Sequence, residues 1–421
     1  MTLATPTRPQ LAIQGGEKIR PTPFPPRANI GEDEKAAILN LLDQTIATGA
    51  ALGYNGDEEN GYCREFAEFM GGGYADAVNS GTAALYVALQ ALQLEPFTEV
   101  IVAAVTDPGG IMPIPLLNLV PVVADSEPAS YNSGPEQIAA LLSPLTSAIV
   151  IAHIGGEPAN IEAIVDLARQ HHLPLIEDCS QSHGARINGK LVGTFGDMGV
   201  FSTMGGKHHC SGGQGGVVYT KNEALYHVIR RSSDRGKPFF LPPGSTNTHA
   251  ALNLNLTDLG AAIGRVQLRK LPSINARRQT IVGKLGEGIE DLATISLPAL
   301  LPGAEACYWF LRLRFHADNA TCDKFTFCQA LSAEGLPITP DYRAALPHTM
   351  DWFVNRRVFG NSGYPWASPD YKGDRHQQFL CPNANATVES HFHLHCHENW
   401  GAKEVADAIA ICQKVDATFR R

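Results

Sequence analysis

Three short segments carry side chains whose types and spacing point to one kind of chemistry. Lys207 lies five residues after Ser202 in a glycine-rich stretch. Upstream, Glu177–Asp178 ends an apolar run, and a Ser-Gly-Thr turn at 80–82 joins a strand-like segment to a helix-like one. Together they supply an amine, a carboxylate and a turn whose free N–H groups suit a phosphate. An enzyme that uses pyridoxal phosphate needs these three parts.

The amine is the most specific of them. Glycines at 205, 206, 212, 213, 215 and 216 surround Lys207 and allow the backbone to approach a bulky planar ligand. A solvent-exposed lysine is only about 0.04 % neutral at pH 7, so Schiff-base chemistry requires burial or nearby positive charge. An isolated lysine is usually just solvated. The order SGT, ED-x-x-Q and S-x4-K within about 130 residues favours a functional role here.

The carboxylate and the turn each have a structural alternative. One of Glu177 and Asp178 is expected to face a ligand and the other a structural partner. A carboxylate beside a pyridine nitrogen keeps it protonated, since an ion pair at 4 Å is worth about 4 kcal/mol at an effective dielectric constant of 20. Gln181 is either a donor to the ring's phenolic oxygen or an ordinary loop amide. Ser80 or Thr82 is either a phosphate ligand or a simple helix N-cap.

Composition narrows the class of protein. The formal charge of −9, with 33 basic and 42 acidic residues and no basic run, argues against a nucleic-acid or membrane partner. No secretory signal is visible, and the longest apolar stretch, 100–124, is interrupted by Asp107 and several prolines. The nine cysteines show no CxxC spacing, which favours reduced thiols in the cytoplasm. A small-molecule substrate is therefore expected.

The chain reads as an extended arm (1–30), a large domain (31–268) and a smaller domain (269–421). The proline-rich arm is of a kind that often lies on a partner surface. In the large domain, short apolar runs alternate with helical stretches such as 158–170, which predicts a mostly parallel α/β sheet with ligands at its carboxyl ends. The runs are 99–104, 120–124, 147–152, 173–176 and 198–201. The smaller domain reads as α+β, with a strand at 307–315, a helix at 319–333 and a terminal helix from about Ala402.

From about Phe24 to the C-terminus, the sequence resembles the DegT/DnrJ/EryC1/StrS family of sugar and cyclitol aminotransferases. The segments that carry the resemblance are EFAEFMGGGYADAVNSGTAALYVAL, VIVIAHIGGEPANIEAI, EDCSQSHGA, S-x4-K and LNLNLTDLGAAIGRVQLRKL. The resemblance implies a fold type I pyridoxal-phosphate enzyme. Such an enzyme is like aspartate aminotransferase, with a helix-covered, mostly parallel sheet and a smaller C-terminal domain. It also implies transfer of an amino group from glutamate or glutamine to a nucleotide-linked keto-sugar or a keto-cyclitol.

The resemblance also implies roles for individual residues. Lys207 would bind the cofactor aldehyde covalently, Asp178 would pair with the pyridine nitrogen, and Gln181 would contact the phenolic oxygen. Gly81, Thr82 and Ser202 would hold the phosphate. Asn253 resembles an asparagine that reaches the phosphate of the neighbouring subunit, which implies a homodimer.

Three departures from the family pattern leave alternatives open. Counting back from Gln214–Gly215–Gly216 reaches His208, whereas counting from Ser202 reaches Lys207. Relatives with histidine at this place dehydrate or deoxygenate sugars, so a dehydratase that uses His208 is the second hypothesis. Gln214 replaces a glutamate, and the segment 103–110 lacks the aromatic residue that stacks on the cofactor in relatives. Val105, Asp107 or His183 would have to replace it, and a ligand-sensing relative without turnover is the third hypothesis.

Further aromatic and imidazole side chains attract attention. His391, His393, His395 and His397 alternate in sequence, which could place four imidazoles on one strand face. Ligands on one flat face rarely converge on a metal, so we expect structural histidines. His208 or His209 is expected to shape the substrate pocket or, as an imidazolium, to lower the pKa of Lys207. Tyr308 and Trp309 are expected to be core aromatics of the smaller domain.

Overall fold

Strands and helices alternate along most of the chain. The computed structural model describes residues 9–421. In chain order its strands are β1 (Tyr74–Val78), β2 (Glu99–Ala103), β3 (Val120–Ala124), β4 (Thr146–Ala152), β5 (Leu175–Asp178), β6 (Arg186–Ile187), β7 (Lys190–Leu191), β8 (Met198–Ser202), β9 (Gly216–Thr220), β10 (Ile295–Ser296), β11 (Ala304–Glu305), β12 (Leu311–Phe315), β13 (Ile338–Thr339) and β14 (His391–Leu394). The α-helices are α1 (Glu32–Thr48), α2 (Asp57–Phe69), α3 (Gly81–Ala91), α4 (Pro113–Leu116), α5 (Pro135–Ala139), α6 (Ile161–Gln170), α7 (Glu223–Ser233), α8 (Asp258–Ile289), α9 (Lys324–Glu334), α10 (Asp351–Val354), α11 (Pro382–Ser390) and α12 (Ala402–Phe419).

A seven-stranded sheet lies at the centre of the large domain, in the order β1-β9-β8-β5-β4-β2-β3. The strands β8, β5, β4, β2 and β3 pair in parallel, and β9 runs antiparallel to both its neighbours. Val100 and Val102 of β2 belong to one core cluster, and Ile101 belongs to another. This split follows from the alternation of strand side chains, and it explains why the runs are apolar throughout. The predicted α/β fold is confirmed.

Two helices cover the sheet where the sequence predicted them. Helix α3 begins at Gly81 because the Ser80 hydroxyl accepts a hydrogen bond from the Ala83 N–H at 3.0 Å. Its side chains Leu85 and Leu89 are buried against the sheet. Helix α6 begins at Ile161, three residues later than predicted, and buries one apolar face in the cluster around Ile149. Each of these helices thus follows a strand of the large sheet: α3 follows β1, and α6 follows β4.

The smaller domain has an antiparallel sheet in the order β10-β12-β14-β13. Its core is built from this sheet, α9, α12 and the second half of α8, with Phe327 and Phe392 fully buried. The predicted strand 307–315 begins only at Leu311, because Tyr308 adopts a left-handed φ of 53°. The predicted helix 319–333 begins only at Lys324, because Asp323 caps it by accepting from Thr326 N–H at 2.7 Å.

The predicted boundary between the domains lies inside a helix. Helix α8 runs without interruption from Asp258 to Ile289 and contains Pro272. Part of the predicted smaller domain also packs on the large one: Ala345 O accepts from Thr106 N–H at 2.9 Å, and the Tyr371 hydroxyl donates to Glu99 at 2.8 Å. The division into 31–268 and 269–421 stays a prediction, and both units meet around the carboxyl ends of the large sheet.

The N-terminal arm packs on its own chain. Residues 1–8 of the predicted arm lie outside the described residues. From residue 9 to 30 the chain is extended apart from one 3-10 turn at Ala12–Gln14. Leu11 is fully buried in the core of the smaller domain, and Arg20 pairs with Glu404 at 3.0 Å and Asp407 at 2.6 Å. The described part of the arm thus packs on its own chain, and its contact with a partner surface stays a prediction.

Two further features concern the helices and the cysteines of the described chain. Across residues 9–421, every helix is too short or too polar to cross a bilayer. All nine cysteines, which lie in the same range, carry free thiols.

Candidate functional site

A cleft of about 270 Å³ opens at the carboxyl ends of the large sheet. Its lining residues follow strands β1, β2, β4, β5 and β8, where the connections of a parallel sheet leave polar groups free. The cleft brings together Gly81, Thr82, Asp178, Gln181, Ser202 and Lys207, six of the seven residues predicted to act on the cofactor. They come in pairs from the three segments at the ends of β1, β5 and β8, so the fold is needed to bring them together.

One end of the cleft is the N-terminus of helix α3. The N–H groups of Gly81 and Thr82 are the first of this helix, where the helix dipole favours an anion. Ser80 supplies the N-cap, and the exposed Thr82 and the half-buried Ser202 line the cleft beside it. A Cβ on Gly81 would lie 2.5 Å from the Cβ of Ser202. The glycine is therefore required by the close approach of β8 to the helix start.

We predict that Gly81→Ala lowers the free energy of unfolding by about 1–3 kcal/mol, because the new methyl group must displace Ser202. The matched control is Gly283→Ala, on an exposed face of helix α8, where a Cβ would meet no atom within 4 Å. That change is expected to stabilise the helix by about 1 kcal/mol. Urea unfolding of both variants measures the difference. Equal effects of the two substitutions would contradict the proposed steric role of Gly81.

The two carboxylates at the end of β5 have different surroundings. Glu177 is fully buried and accepts from the N–H groups of Gly193, Phe195 and Gly196 at 2.7–2.8 Å, and it also lies 3.2 Å from His153 Nε2. Asp178 lines the cleft, where burial raises the pKa of its carboxyl. This confirms the predicted split between a structural carboxylate and one that faces the ligand side.

Gln181 also lies in the cleft, where two fixed partners orient its amide. The Oε1 atom accepts from Gly155 N–H at 2.7 Å, and Nε2 donates to the Tyr342 hydroxyl at 3.1 Å. Only 4 % of the residue is exposed. Gln181 is thus no ordinary solvated loop amide, and its predicted contact with a ring oxygen stays a prediction.

Lys207 reaches the cleft from the loop that follows β8. Only 6 % of the residue is exposed, and burial lowers the pKa of its amine to about 8, although Asp178 and Asp107 act in the opposite direction. Its Nζ atom lies 3.8 Å from the ring centroid of Trp309, and the indole N–H donates to Gly206 O at 3.2 Å. The sequence required a mechanism that lowers this pKa, and desolvation supplies it.

His208 and His209 do not line the cleft, contrary to one of the sequence-based expectations. Both are fully buried; His208 Nε2 donates to Cys307 O at 3.0 Å, and His209 Nε2 lies 3.1 Å from Gly264 O. Burial lowers the pKa of His208 well below its ordinary value and that of His209 to about 4. Neither ring is therefore an imidazolium near neutral pH that could lower the pKa of Lys207. Counting from Ser202 reaches Lys207, which lines the cleft. Counting back from Gln214 reaches His208, which does not.

Of the three residues considered for stacking on a planar ligand, Asp107 alone lines the cleft. Val105 is buried in the core, and His183 is buried against Phe201, so neither lines the cleft. Asp107 does line it and fixes its own turn by accepting from Gly109 N–H at 2.9 Å. Trp309, expected in the core of the smaller domain, instead forms part of the cleft wall, which corrects that expectation. Tyr308 packs against the smaller-domain core as predicted.

Asn253 is the one predicted cofactor ligand that lies outside the cleft. It is exposed, pairs with Asp234 through an isolated bridge, and its Oδ1 accepts from Asn255 Nδ2 at 2.6 Å. This position is compatible with the predicted contact to a neighbouring subunit, which stays a prediction.

The histidine run near the C-terminus is structural. Strand β14 ends at Leu394, so His395 and His397 lie beyond it, and the predicted single face of four imidazoles is wrong. Each ring has its own neighbour: His391 faces Thr387 O, His393 the Tyr131 hydroxyl, His395 the Thr339 hydroxyl and His397 Pro25 O, at 2.7–3.1 Å. Among residues 9–421, the run supplies no three ligand atoms that converge as a metal requires.

Sequence reasoning did not identify Tyr342, Arg27 or Thr106, which shape this site, and it favoured a core position for Trp309. Trp309 and Tyr342 come from the smaller domain, and Arg27 comes from the arm, where its guanidinium binds the loop of Lys207. No local pattern marks them. Thr106 also lines the cleft; it follows β2 directly, so the rule that ligands gather beyond strand ends could have found it.

Comparisons with known proteins agree with this geometry. L-glutamine:2-deoxy-scyllo-inosose aminotransferase of Streptoalloteichus tenebrarius is 31 % identical over 83 % of this chain and 85 % of its own length. dTDP-4-dehydro-2,6-dideoxy-D-glucose 3-dehydratase of Saccharopolyspora spinosa is 32 % identical over 73 % of this chain and 71 % of its own length. The X-ray structure of the aminotransferase from Psychrobacter cryohalolentis superposes with a TM-score of 0.80 at 27 % identity, covering 92 % of this chain and 98 % of that one.

The family assignment rests on nearly the whole length of the chain. The model of the DegT/DnrJ/EryC1/StrS aminotransferase family matches residues 32–413, which contain the complete cleft. The resemblance seen in the sequence is therefore confirmed, and the chain belongs to the DegT/DnrJ/EryC1/StrS aminotransferase family.

Proposed function

We propose that this enzyme uses pyridoxal phosphate to move an amino group from glutamine or glutamate to the keto group of a cyclitol or a nucleotide-linked sugar. The observation that carries the proposal is the position of Lys207, whose partly neutral amine shares one cleft with Asp178 and the start of helix α3. The curated relatives include glutamine-dependent aminotransferases of keto-cyclitols. We therefore favour glutamine as donor and a cyclitol as acceptor.

The residues of the cleft fit this cofactor. Free N–H groups at Gly81 and Thr82 and the Ser202 hydroxyl suit its phosphate, and Asp178 suits its ring nitrogen. The Gly109 backbone approaches the Thr82 side chain closely, since a Cβ on Gly109 would lie 2.4 Å from Thr82 Oγ1. Gly81, Gly109 and Gly110 line this part of the cleft, where the absence of side chains leaves room for a planar ring, and Gln181 would contact its phenolic oxygen.

The chemistry divides between cofactor and protein. When bound, pyridoxal phosphate supplies a protonated ring that withdraws electrons from the donor's α-carbon. The Asp178 carboxylate would keep the ring nitrogen protonated, because an ion pair favours the charged forms of both groups. Lys207 Nζ accepts the α-proton from the donor and later returns a proton to the acceptor carbon. The Trp309 ring lies against Nζ, and burial of the amine lowers its pKa to about 8.

The pKa of Lys207 predicts how fast the cofactor is captured at each pH. With a pKa of about 8, the neutral fraction rises about tenfold per pH unit below that value and levels off above it. We therefore expect the rate of pyridoxal phosphate capture by the cofactor-free protein to follow this curve. Stopped-flow absorbance measures it, with Lys207→Ala as the control for non-covalent uptake. A midpoint near 10 would show that the amine is solvated.

The decisive experiment follows both the donor and the acceptor. Purified enzyme loaded with cofactor is mixed with glutamine and then with scyllo-inosose, 2-deoxy-scyllo-inosose or a nucleotide-linked keto-sugar. We expect a change in cofactor absorbance on donor addition and a product in which an amino group replaces the keto oxygen, identified by mass spectrometry. An acceptor that loses oxygen without gaining nitrogen would indicate a dehydratase instead. No spectral change with any donor would favour a ligand-sensing protein.

We also propose a cytoplasmic homodimer. Asn253 is exposed outside the cleft, and the nearby Leu252 is 54 % exposed, so this surface is suited to contact a second copy. The nine free thiols favour a reducing compartment. Sedimentation analysis of wild type against Leu252→Asp tests the dimer.

A further inference from the structure

The N-terminal arm makes an unusual contact with the loop of Lys207. The Arg27 guanidinium donates to three successive backbone carbonyls: Nη1 to Gly206 O at 3.1 Å and Lys207 O at 2.6 Å, and Nη2 to His208 O at 2.9 Å. A planar guanidinium can bind several acceptors at fixed angles. Arg27 therefore restrains the backbone on both sides of the amine-bearing residue.

The buried Glu398 carboxylate joins Arg27 to Arg278, which binds the backbone of Trp309. Arg27 Nε donates to one oxygen of Glu398 and Arg278 Nε donates to the other, each at 2.8 Å. Arg278 Nη1 then donates to Tyr308 O at 2.7 Å and Trp309 O at 3.2 Å. One ion network thus holds the backbone of Lys207 and the backbone of the tryptophan against which its amine rests.

The loop of Lys207 combines a glycine-rich backbone with hydrogen bonds of its own and with hydrogen bonds from the arm. Glycines at 205, 206, 212 and 213 give its backbone unusual freedom, and the local restraints include a bond from Lys207 N–H to Met204 O at 2.9 Å. A second arm residue, Asn29, donates to Gly205 O at 3.0 Å. Lys207 and His208 are buried, and the arm supplies the hydrogen bonds that their carbonyls accept.

We propose that Arg27 is a positioning residue that, together with Glu398 and Arg278, holds Lys207 Nζ inside the cleft against Trp309. The inference rests on the proposed role of Lys207, and it assigns the arm a part in the active site. Without the guanidinium, the loop would loosen and water would reach Nζ. The desolvation that lowers the pKa of Lys207 to about 8 would then be partly lost.

The test measures the pKa of Lys207 directly, without catalysis. The full-length chain in its cofactor-free form is treated with trinitrobenzenesulfonate over a pH series, and modification of the Lys207 peptide is quantified by mass spectrometry. We expect a wild-type midpoint near 8 and an upward shift of about one unit in Arg27→Gln, which lowers the neutral fraction at pH 8 about fivefold. The rate is normalised to its alkaline plateau, so greater exposure does not mask the shift.

Arg20→Gln is the matched control. Arg20 is also a nearly buried arm arginine with two carboxylate partners, Glu404 and Asp407, but it makes no contact with residues 204–210. We expect its midpoint to equal that of wild type. An unshifted midpoint in Arg27→Gln, or an equal shift in Arg20→Gln, would overturn the proposal. If Arg27→Gln does not fold, Arg27→Lys carries the test, because the three donors of an ammonium cannot serve all four acceptors of Arg27, which are three carbonyls and Glu398. An unshifted midpoint there has the same meaning.

The outcomes separate this inference from the proposed function. A wild-type midpoint near 10 would contradict the role of Lys207 itself. A wild-type midpoint near 8 with no shift in the Arg27 variant would contradict only the role of the arm.

Discussion

Replacing Lys207 by alanine is expected to lower kcat for amino transfer by at least about 10³-fold, because the variant loses the group that binds the cofactor and moves the proton. Binding of pyridoxal phosphate itself should weaken much less, since the start of helix α3 and Ser202 remain. Steady-state kinetics and equilibrium dialysis distinguish the two effects. Retention of wild-type activity by Lys207→Ala would remove the basis of the proposed mechanism.

The matched change is His208→Asn at the neighbouring position. His208 is fully buried and donates to Cys307 O, so we expect some loss of stability but kcat within a few-fold of wild type. A thermal melt accompanies the kinetics to separate the two effects. The reverse pattern, with an active Lys207 variant and an inactive but folded His208 variant, is what a histidine-based dehydratase requires.

Asp178→Asn is expected to lower kcat/KM by about 10²–10³-fold, because a carboxylate at 4 Å from a positive ring nitrogen is worth about 4 kcal/mol at an effective dielectric constant of 20. Asparagine has the same shape and can still accept the hydrogen bond that Ser180 N–H donates at 3.0 Å. The loss should therefore appear as changed chemistry and a changed cofactor absorbance, with little change in the unfolding temperature.

The adjacent carboxylate provides the control for this prediction. Glu177→Gln leaves at least one of three buried N–H groups poorly paired, so it should cost about 3 kcal/mol of unfolding free energy. The enzyme that remains folded should keep its kcat. If Asp178→Asn were nearly as active as wild type, or if Glu177→Gln lost activity without losing stability, the assignment of the two carboxylates would be wrong.

Several features of the fold could be predicted because they depend on neighbours in sequence. The apolar runs gave the parallel strands to within two residues, since strands buried on both faces have a continuous apolar pattern. Errors occurred where the backbone changes direction. The strand at β12 begins late after the left-handed Tyr308, and α9 begins late because Asp323 caps it. A cap or a positive φ is a property of a few atoms and leaves little trace in hydrophobic periodicity.

The sequence by itself determined the candidate residues Thr82, Asp178 and Lys207, because each follows a strand end that the local pattern marks. Only the tertiary structure decided which register enters the cleft, by pointing Lys207 inward and burying His208 behind it. It also brought Trp309 to the Lys207 amine and Arg27 to the Lys207 backbone, from segments about 100 and 180 residues away in the chain. These contacts form when distant segments of the chain pack against each other. The local sequence pattern of any one segment does not indicate which other segment it will contact.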